Sequence, residues 1–284
     1  MNRKSNGKIN GTLFICSTPI GNLEDVSFRL LRILGEADLI AAEDTRTIKK
    51  LLQKYNISNK NIVSYHDFSK EGRIDYITDK LEAGYNVALV SESGTPAIQD
   101  PGFRIINRCI EKNIPLAVIP GPNAAISALV LSGLPTDSFL FTGFLPRAKA
   151  KRKNRILELA AVPCTLVFYE SPKRIETLVR ELAEKFGDRK ASLAREITKI
   201  YEESIRGSLS EISAKIKKKK VKGEVVLVIE GYKKDLIKGF TEEDIEKELL
   251  SLLKQGISKK SALKIVLSRY DIDKQKLYNI ATKI

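Results

Sequence analysis

Residues 87–102 read Val-Ala-Leu-Val-Ser-Glu-Ser-Gly-Thr-Pro-Ala-Ile-Gln-Asp-Pro-Gly. Four apolar residues make a short buried-strand pattern, which breaks into a polar elbow punctuated by glycine and proline before a helical pattern opens at Phe103. A loop that only turned the chain would need fewer special residues. Around it, strand patterns at 12–16, 39–42 and 116–119 alternate with helical patterns at 26–34, 45–55, 71–82, 103–111 and 123–131. That rhythm predicts an α/β fold, a mainly parallel sheet covered by helices. Ligands of such sheets sit beyond the carboxyl ends of the strands. Four polar or Gly/Pro loops fall there: 17–23, Glu43-Asp-Thr-Arg46, the elbow itself, and Pro120-Gly-Pro-Asn-Ala-Ala125. Together they predict a binding site on one sheet edge.

Further strand patterns lie at 139–142, 165–169, 191–194 and 225–229. The domains expected are 12–123 and 124–233, both α/β, after a flexible 1–11. The second block opens on a basic run, Arg147, Lys149, Lys151, Arg152, Lys153 and Arg155, with no acid among them. From 240 to 284 the pattern is helical, at 241–254, 258–269 and 273–283. Thr241, Ser258 and Asp273 stand as N-caps, and Gly256 ends the first helix. Three short helices with tight connections resemble a small helix-turn-helix unit; a helical clamp in a dimer is the competing reading.

The 284 residues suit about two domains. With 43% hydrophobic and 30% charged residues, the chain is globular. Lys and Arg number 49 against 35 Asp and Glu, a net charge of +14, which favours polyanionic partners, nucleic acid first. A generally Lys-rich composition is the plainer explanation of the total. No apolar run reaches the ~18 residues of a membrane span, and the polar start lacks a signal-peptide core. Cys16, Cys109 and Cys164 are scattered and His66 is the single histidine, so neither a disulfide framework nor a metal site is expected. A cytoplasmic protein is the expectation. Walker, G-x-G-x-x-G and nucleophile-elbow patterns are missing. What remains is a pocket of backbone groups, small side chains and prolines, suited to a compact polar cofactor.

Eight motifs, taken in order, carry a resemblance. They begin with 17–25 (Ser-Thr-Pro-Ile-Gly-Asn-Leu-Glu-Asp), Ala42-Glu-Asp-Thr-Arg46, Ser91-Glu-Ser-Gly-Thr-Pro96 with Asp100-Pro-Gly102, and Ile119-Pro-Gly-Pro-Asn-Ala-Ala125. They continue through Gly143-Phe-Leu-Pro146, Phe168-Tyr-Glu-Ser-Pro172, Ala194-Arg-Glu-Ile-Thr-Lys199 and the 223–231 stretch. The chain resembles the ribosomal RNA small subunit methyltransferase I family, of the tetrapyrrole-methylase-like superfamily of S-adenosylmethionine (SAM) enzymes. The resemblance covers about 12 to 233.

It implies two α/β domains with SAM in the cleft between them, a homodimer, and 2′-O-methylation of a cytidine in the decoding region of 16S rRNA, free or in the assembled small subunit. Ser93, Gly94, Thr95 and Ile98 would then approach the cofactor, with Gly121, Asn123, Ala124 and Ala125 opposite and Pro19, Ile20, Gly21 and Asn22 at the entrance. Phe168 and Tyr169 either pack on the adenine or are ordinary core aromatics. Asp44, His66 and Glu43 are the candidate bases, and an Asp44–Arg46 ion pair is the alternative for Asp44. Arg46 and the basic run 147–155 are the candidate RNA contacts, with 215–222 as a further one. Two departures stand out. The family pattern Ser-Asp-Ala-Gly-Thr-Pro here has Glu92 and Ser93, and the Gly-x-Gly-x-Gly-Asp loop usual in tetrapyrrole methylases is replaced by Thr18-Pro-Ile-Gly-Asn-Leu23. The second favours RNA over the alternatives, a methylase of tetrapyrroles or protein side chains, or a non-catalytic RNA-binding protein.

Overall fold

The computed structural model describes residues 10–66, 71–218, 220–233, 238–267 and 269–284; residues 1–9, most of the segment expected to be flexible, lie outside them. The chain divides into one compact unit up to Gly231 and a second from Tyr232 onward.

The first unit contains two five-stranded sheets. In the first, β1 (Leu13–Cys16), β2 (Leu39–Ala42), β3 (Ile62–Ser64), β4 (Val87–Val90) and β5 (Leu116–Ile119) run in the order β3-β2-β4-β1-β5. Every pairing is parallel. β2 and β4 are buried at each position, which is why they read as unbroken apolar runs: helices cover both faces. Ile40, Ala88 and Ile119 pack under α1 (Phe28–Glu36) and α2 (Thr45–Lys54). Leu39, Val87 and Leu89 pack on the other face under α3 (Glu71–Glu82) and α4 (Phe103–Glu111).

The second sheet comprises β6 (Phe139–Phe144), β7 (Thr165–Glu170), β8 (Lys190–Arg195), β9 (Glu203–Ser208) and β10 (Val225–Ile229), in the order β6-β7-β10-β8-β9. Only β6 and β7 are parallel; the remaining pairs are antiparallel. The parallel expectation, drawn from the strands up to residue 119, describes the first sheet; the second is mixed. The physical reason is β9: a short turn joins it to β8 as a hairpin, so no helical crossover is needed. Its Glu-Ser-Ile-Arg-Gly-Ser sequence is that of a partly exposed edge strand and carries no apolar run.

Three helices, α6 (Lys149–Leu159), α7 (Ile175–Phe186) and α8 (Leu209–Lys218), cover one face of this sheet over Leu166, Phe168, Leu193 and Leu227. The other face receives α5 (Ala124–Ser132), whose Ala125, Ala128 and Leu129 lie on Val167, Ala194, Val226 and Val228. Ile20, from the loop after β1, joins that same cluster, so a loop of the first sheet is anchored on the second.

The described residues of the second unit form three helices, α9 (Glu242–Lys254), α10 (Lys259–Leu267) and α11 (Lys274–Ala281), around Ile245, Leu249, Val266, Leu277 and Ile280. Thr241 and Asp244 form a reciprocal capping box on α9, and Asp273 caps α11. Gly256, at φ +79°, ends the first helix as its position in the sequence predicts. Among the described residues, no helix is long and apolar enough to cross a membrane.

Candidate active site

A cavity of about 650 Å³ opens beyond the carboxyl ends of β1, β4 and β5, closed on the other side by the ends of β6, β7 and β8 and the start of β10. That volume lies within the usual range of small-molecule sites.

The elbow after β4 forms one wall, and its sequence explains its shape. Thr18 N–H donates to Gly94 O at 2.9 Å and Gly94 N–H donates back to Thr18 O at 3.1 Å. Ser17 Oγ donates to Thr95 Oγ1 at 3.1 Å. Gly94 sits at φ +76°, where glycine has no steric cost, while Ala97 at +69° and Gln99 at +66° hold left-handed backbone without that freedom. Such strain gathers where surrounding structure over-determines a loop. The Phe144 N–H reaches Gln99 Oε1 at 3.4 Å, tying the elbow to β6. Gly143 allows this approach, since a Cβ there would lie 2.3 Å from Gln99 Nε2.

Opposite, Asn123 caps α5 by accepting from the Ala125 and Ile126 N–H groups at 3.0 and 3.2 Å. The Tyr169 hydroxyl accepts from the same Ala125 N–H at 3.2 Å, and its ring meets Phe141 and Phe144 edge-on at 4.9 and 5.7 Å. Burial raises the Tyr169 hydroxyl above its ordinary pKa, so it stays protonated.

A third cluster completes the lining. Lys199 Nζ lies 3.1 Å from both Glu196 Oε1 and Glu224 Oε2, and Glu224 N–H donates to Glu196 Oε1 at 2.9 Å. Burial opposes the Lys199 charge, but hydrogen bonds to both carboxylates outweigh it and raise the ammonium pKa. The Glu224 amide, with Lys199, holds Glu196 below the usual carboxylate range against the opposing effect of burial. The lysine stem lies on Gly21, where an added Cβ would fall 2.6 Å from Lys199 Cγ. Although the chain is strongly basic, the lining holds five carboxylates, on Glu92, Asp100, Glu170, Glu196 and Glu224, against Lys199 alone.

Of the expected cofactor residues, Ile20, Ser93, Gly94, Thr95, Ile98, Asn123, Ala124 and Tyr169 line this cavity. The others lie elsewhere. Phe168 is fully buried under the helices of the second sheet, because successive strand residues point to opposite faces. Ala125 is in the α5 core. Gly121 packs against Ser17, with room for no Cβ beyond 3.0 Å. Pro19 lines a separate, smaller hollow, Gly21 lies under Lys199, and Asn22 caps a short turn over Leu23–Asp25.

None of the three candidate bases lines the cavity. Asp44 is the N-cap of α2, accepting from Arg46 N–H at 2.7 Å, and its carboxylate also pairs with the Arg46 guanidinium at 2.7 Å. The Arg46 side-chain and backbone hydrogen bonds hold it far below the usual carboxylate range, making it a very weak base. Glu43 accepts from Glu92 N–H at 3.0 Å and so tethers the elbow. His66 is exposed after β3, two strands from β4 and thus about 10 Å away at the ordinary strand spacing; its Nε2 is 2.9 Å from Ser64 Oγ. In the basic run, Arg152 is held bidentately by Glu181 and Arg155 pairs through one nitrogen with Glu158, whereas Arg147, Lys149, Lys151 and Lys153 are exposed. Sequence reasoning gave no role to Glu196, Lys199, Glu170 or Glu224. The signals were present: these residues stand in the motifs at 168–172, 194–199 and 223–231, and Gly223, at φ +82°, has no room for a Cβ beside Glu196.

Two sheets joined through a strand-end cavity of cofactor size, walled by Gly- and Pro-rich loops, define a methyltransferase of the tetrapyrrole-methylase type. The tetrapyrrole (corrin/porphyrin) methylase family matches residues 12–213, and its cofactor is S-adenosylmethionine. A relative from Halalkalibacterium halodurans, a ribosomal RNA small subunit methyltransferase I, is 43% identical over 277 residues, 95% of this chain and 94% of its own length. Another of the same name, from Synechocystis, is 39% identical over 96% of this chain and 98% of its own. The chain belongs to the ribosomal RNA small subunit methyltransferase I family. Solved structures at lower identity share the fold. A diphthine synthase matches with a TM-score of 0.60 at 16% identity, over 78% of this chain and 89% of its own. A Thermus thermophilus uroporphyrin-III C-methyl transferase complexed with S-adenosylhomocysteine matches at 0.53 and 18%, over 78% and 97%.

The residues present fit the cofactor. A sulfonium carrying an ammonium group is cationic, and the carboxylate-rich lining in an otherwise basic chain suits that charge. At Gly94 an added Cβ would meet nothing closer than Ile20 at 3.5 Å, so the elbow presents bare backbone to the cavity.

Proposed function

We propose that the protein transfers a methyl group from SAM to the 2′-oxygen of a cytidine in the decoding region of 16S rRNA, acting as a cytoplasmic homodimer. The observation that carries this reading is the charge contrast between an acid-lined cavity and an outer surface with a net excess of cations. Such a surface draws in a polyanion, while the cavity prefers a small cation. The names of the extensive relatives supply the ribosomal RNA.

Bound SAM supplies an electrophilic methyl group. The chain's part is to grip and align, and such positioning can lower the barrier by roughly 7–11 kcal/mol. The elbow at 93–95, with Asn123, Ala124 and Tyr169, holds the cofactor. Lys199, two of whose three donors are taken by Glu196 and Glu224, directs its third toward the acceptor oxygen and steadies the charge that develops there. The departing proton goes to a cavity carboxylate. Glu92 suits this role, because its side chain has no hydrogen bond or ion-pair contact among the described residues.

For the homodimer, support comes from the open edge of the first sheet. Among the described residues β5 pairs with β1 alone, and Val118 on it is exposed, as are Phe103 on α4 and Ile126 and Val130 on α5, which follows β5 in the chain. An open strand edge and exposed apolar groups favour association.

Offering methyl-labelled SAM to unmodified small ribosomal subunits, a reduced tetrapyrrole and a protein extract in parallel tests the reading. Label in the RNA fraction alone is expected. Label in the tetrapyrrole or protein, with none in RNA, would replace the proposal.

A further inference from the structure

A second cavity, of about 460 Å³, lies on the outer edge of the second sheet and is unlike the first in charge. Arg195, Arg206, Lys215 and Lys220 line it, with Glu203 as the single acid. Glu203 is already engaged, its Oε2 2.6 Å from Arg195 Nε. Arg206 donates through Nε to Leu131 O at 2.9 Å, which fixes the guanidinium against the end of α5 and keeps its charge beside the groove. Lys215 and Lys220 are exposed and have no ion pair among the described residues. In the basic run 147–155, Arg152 and Arg155 are neutralised by Glu181 and Glu158, while Arg147, Lys149, Lys151 and Lys153 are exposed on a surface that does not adjoin the hairpin tip.

The position of the groove matters more than its charge. Its wall is the β8–β9 hairpin, and the tip of that hairpin carries Glu196 and Lys199 of the acid-lined cavity. The two cavities also share the turn before β10: Lys220 and Val221 face the basic one, and Gly223 and Glu224 the acidic one. Beside Lys199, the tip presents Ile200 and Tyr201 at 95% and 73% exposure, unusual for large apolar groups. Among the described residues of the first unit β9 pairs with β8 alone, so its outer edge has no strand partner there.

Resting on the RNA reading above, we infer that this hairpin is the RNA-docking element. The phosphodiester backbone of a single-stranded segment flanking the acceptor nucleotide lies in the groove of Arg206, Lys215 and Lys220. An adjacent base stacks on Tyr201, and the acceptor ribose passes over the tip to Lys199. Unpaired cations give affinity without sequence information, an exposed aromatic grips an unstacked base, and both are what a single strand offers. The same element thus carries the docking surface and one wall of the chemical site, which sets the distance from bound phosphate to transferred methyl.

The test compares full-length wild type with K215Q/K220Q, with Y201A, and with K50Q/K54Q on α2 as a charge-matched control. Binding to unmodified small subunits is measured across a salt series, and SAM affinity is measured by calorimetry. For K215Q/K220Q the affinity is expected to fall about tenfold near physiological salt, with the salt slope shallower by about 1.4. Y201A should lose about tenfold with little change in slope. SAM affinity and melting temperature should stay at wild-type values in all variants, and K50Q/K54Q should bind nearly as wild type does. Wild-type affinity in both groove variants, or an equal loss in the control, overturns the docking assignment while leaving the enzyme reading intact. A wild-type protein that neither binds nor methylates small subunits overturns both.

Discussion

The elbow after β4 holds its shape at a cost, and replacing Gly94 by alanine measures it. At φ +76° an L-residue is disfavoured by about 1–2 kcal/mol. Lower entropy in the unfolded chain returns roughly 0.4–1 kcal/mol. The loop can also escape by giving up its two backbone hydrogen bonds with Thr18, each worth about 1 kcal/mol, so the penalty cannot much exceed about 2 kcal/mol. If SAM binds only the native elbow, strain common to the free and bound forms cancels, and affinity falls by the share of free protein in the escaped loop, up to about twofold where strain matches the escape cost. A Cβ at Gly94 also enters the cavity, so Gly102→Ala is the companion variant. Gly102 lies outside the lining, at φ +151°, and its added Cβ would fall 3.1 Å from the Ala97 backbone nitrogen, which cannot move aside cheaply. Calorimetric titration with SAM, beside urea unfolding of each variant, separates the two effects. Loss of affinity in both shows that elbow geometry governs binding; loss in Gly94→Ala alone shows simple obstruction. Wild-type affinity in both would refute the assignment of the elbow as a cofactor wall.

Asp44→Asn keeps a good helix cap, and His66→Ala removes an exposed ring outside the cavity, so single-turnover methyl transfer should stay within about threefold of wild type in each. Lys199→Met keeps the stem on Gly21 but removes the ammonium; transfer at saturating SAM should fall at least about 100-fold with SAM affinity nearly unchanged, and Lys199→Arg should recover part of it. The raised Lys199 pKa means its ties persist below about pH 10 and fail as pH climbs through the folded value, while the lowered Glu196 pKa means they persist above about pH 5 and fail as pH falls through its folded value. The stability gap between Lys199→Met and wild type should therefore be flat between those limits and close outside them, as read by urea melts. If the proposed homodimer forms through this edge, Val118→Asp with Val130→Asp should leave monomer in sedimentation runs where wild type runs as dimer. Thr241→Ala should destabilise the C-terminal helical unit by about 1 kcal/mol through loss of the cap, visible in amide exchange of α9.

Much of the first sheet was legible because buried parallel strands write themselves as apolar runs; Leu39-Ile-Ala-Ala and Val87-Ala-Leu-Val have no other easy reading. β9 was not legible, since an edge strand facing solvent needs no apolar pattern, and β3 is only three residues long. Those strands decide which loops meet, and single-sequence spacing does not record that. Glu43 and Asp44 follow a strand end as faithfully as Ser93 does, yet one tethers the elbow and the other caps a helix and pairs with Arg46. Phe168 and Tyr169 were separable in principle, because alternation along β7 sends only one of them toward α5. The contribution of Glu196, Lys199 and Glu224 depends on the antiparallel return of β10 beside β8, a long-range pairing.

The proposed reaction leaves a methyl group on one ribose oxygen. Small subunits lacking native modification, incubated with the protein and methyl-labelled SAM, should be digested to nucleosides and resolved by mass spectrometry, with nuclease protection locating the label. A single 2′-O-methylcytidine within the decoding region, absent without the protein, is the expected product. Label on a base, or on a ribose elsewhere in the RNA, would contradict it.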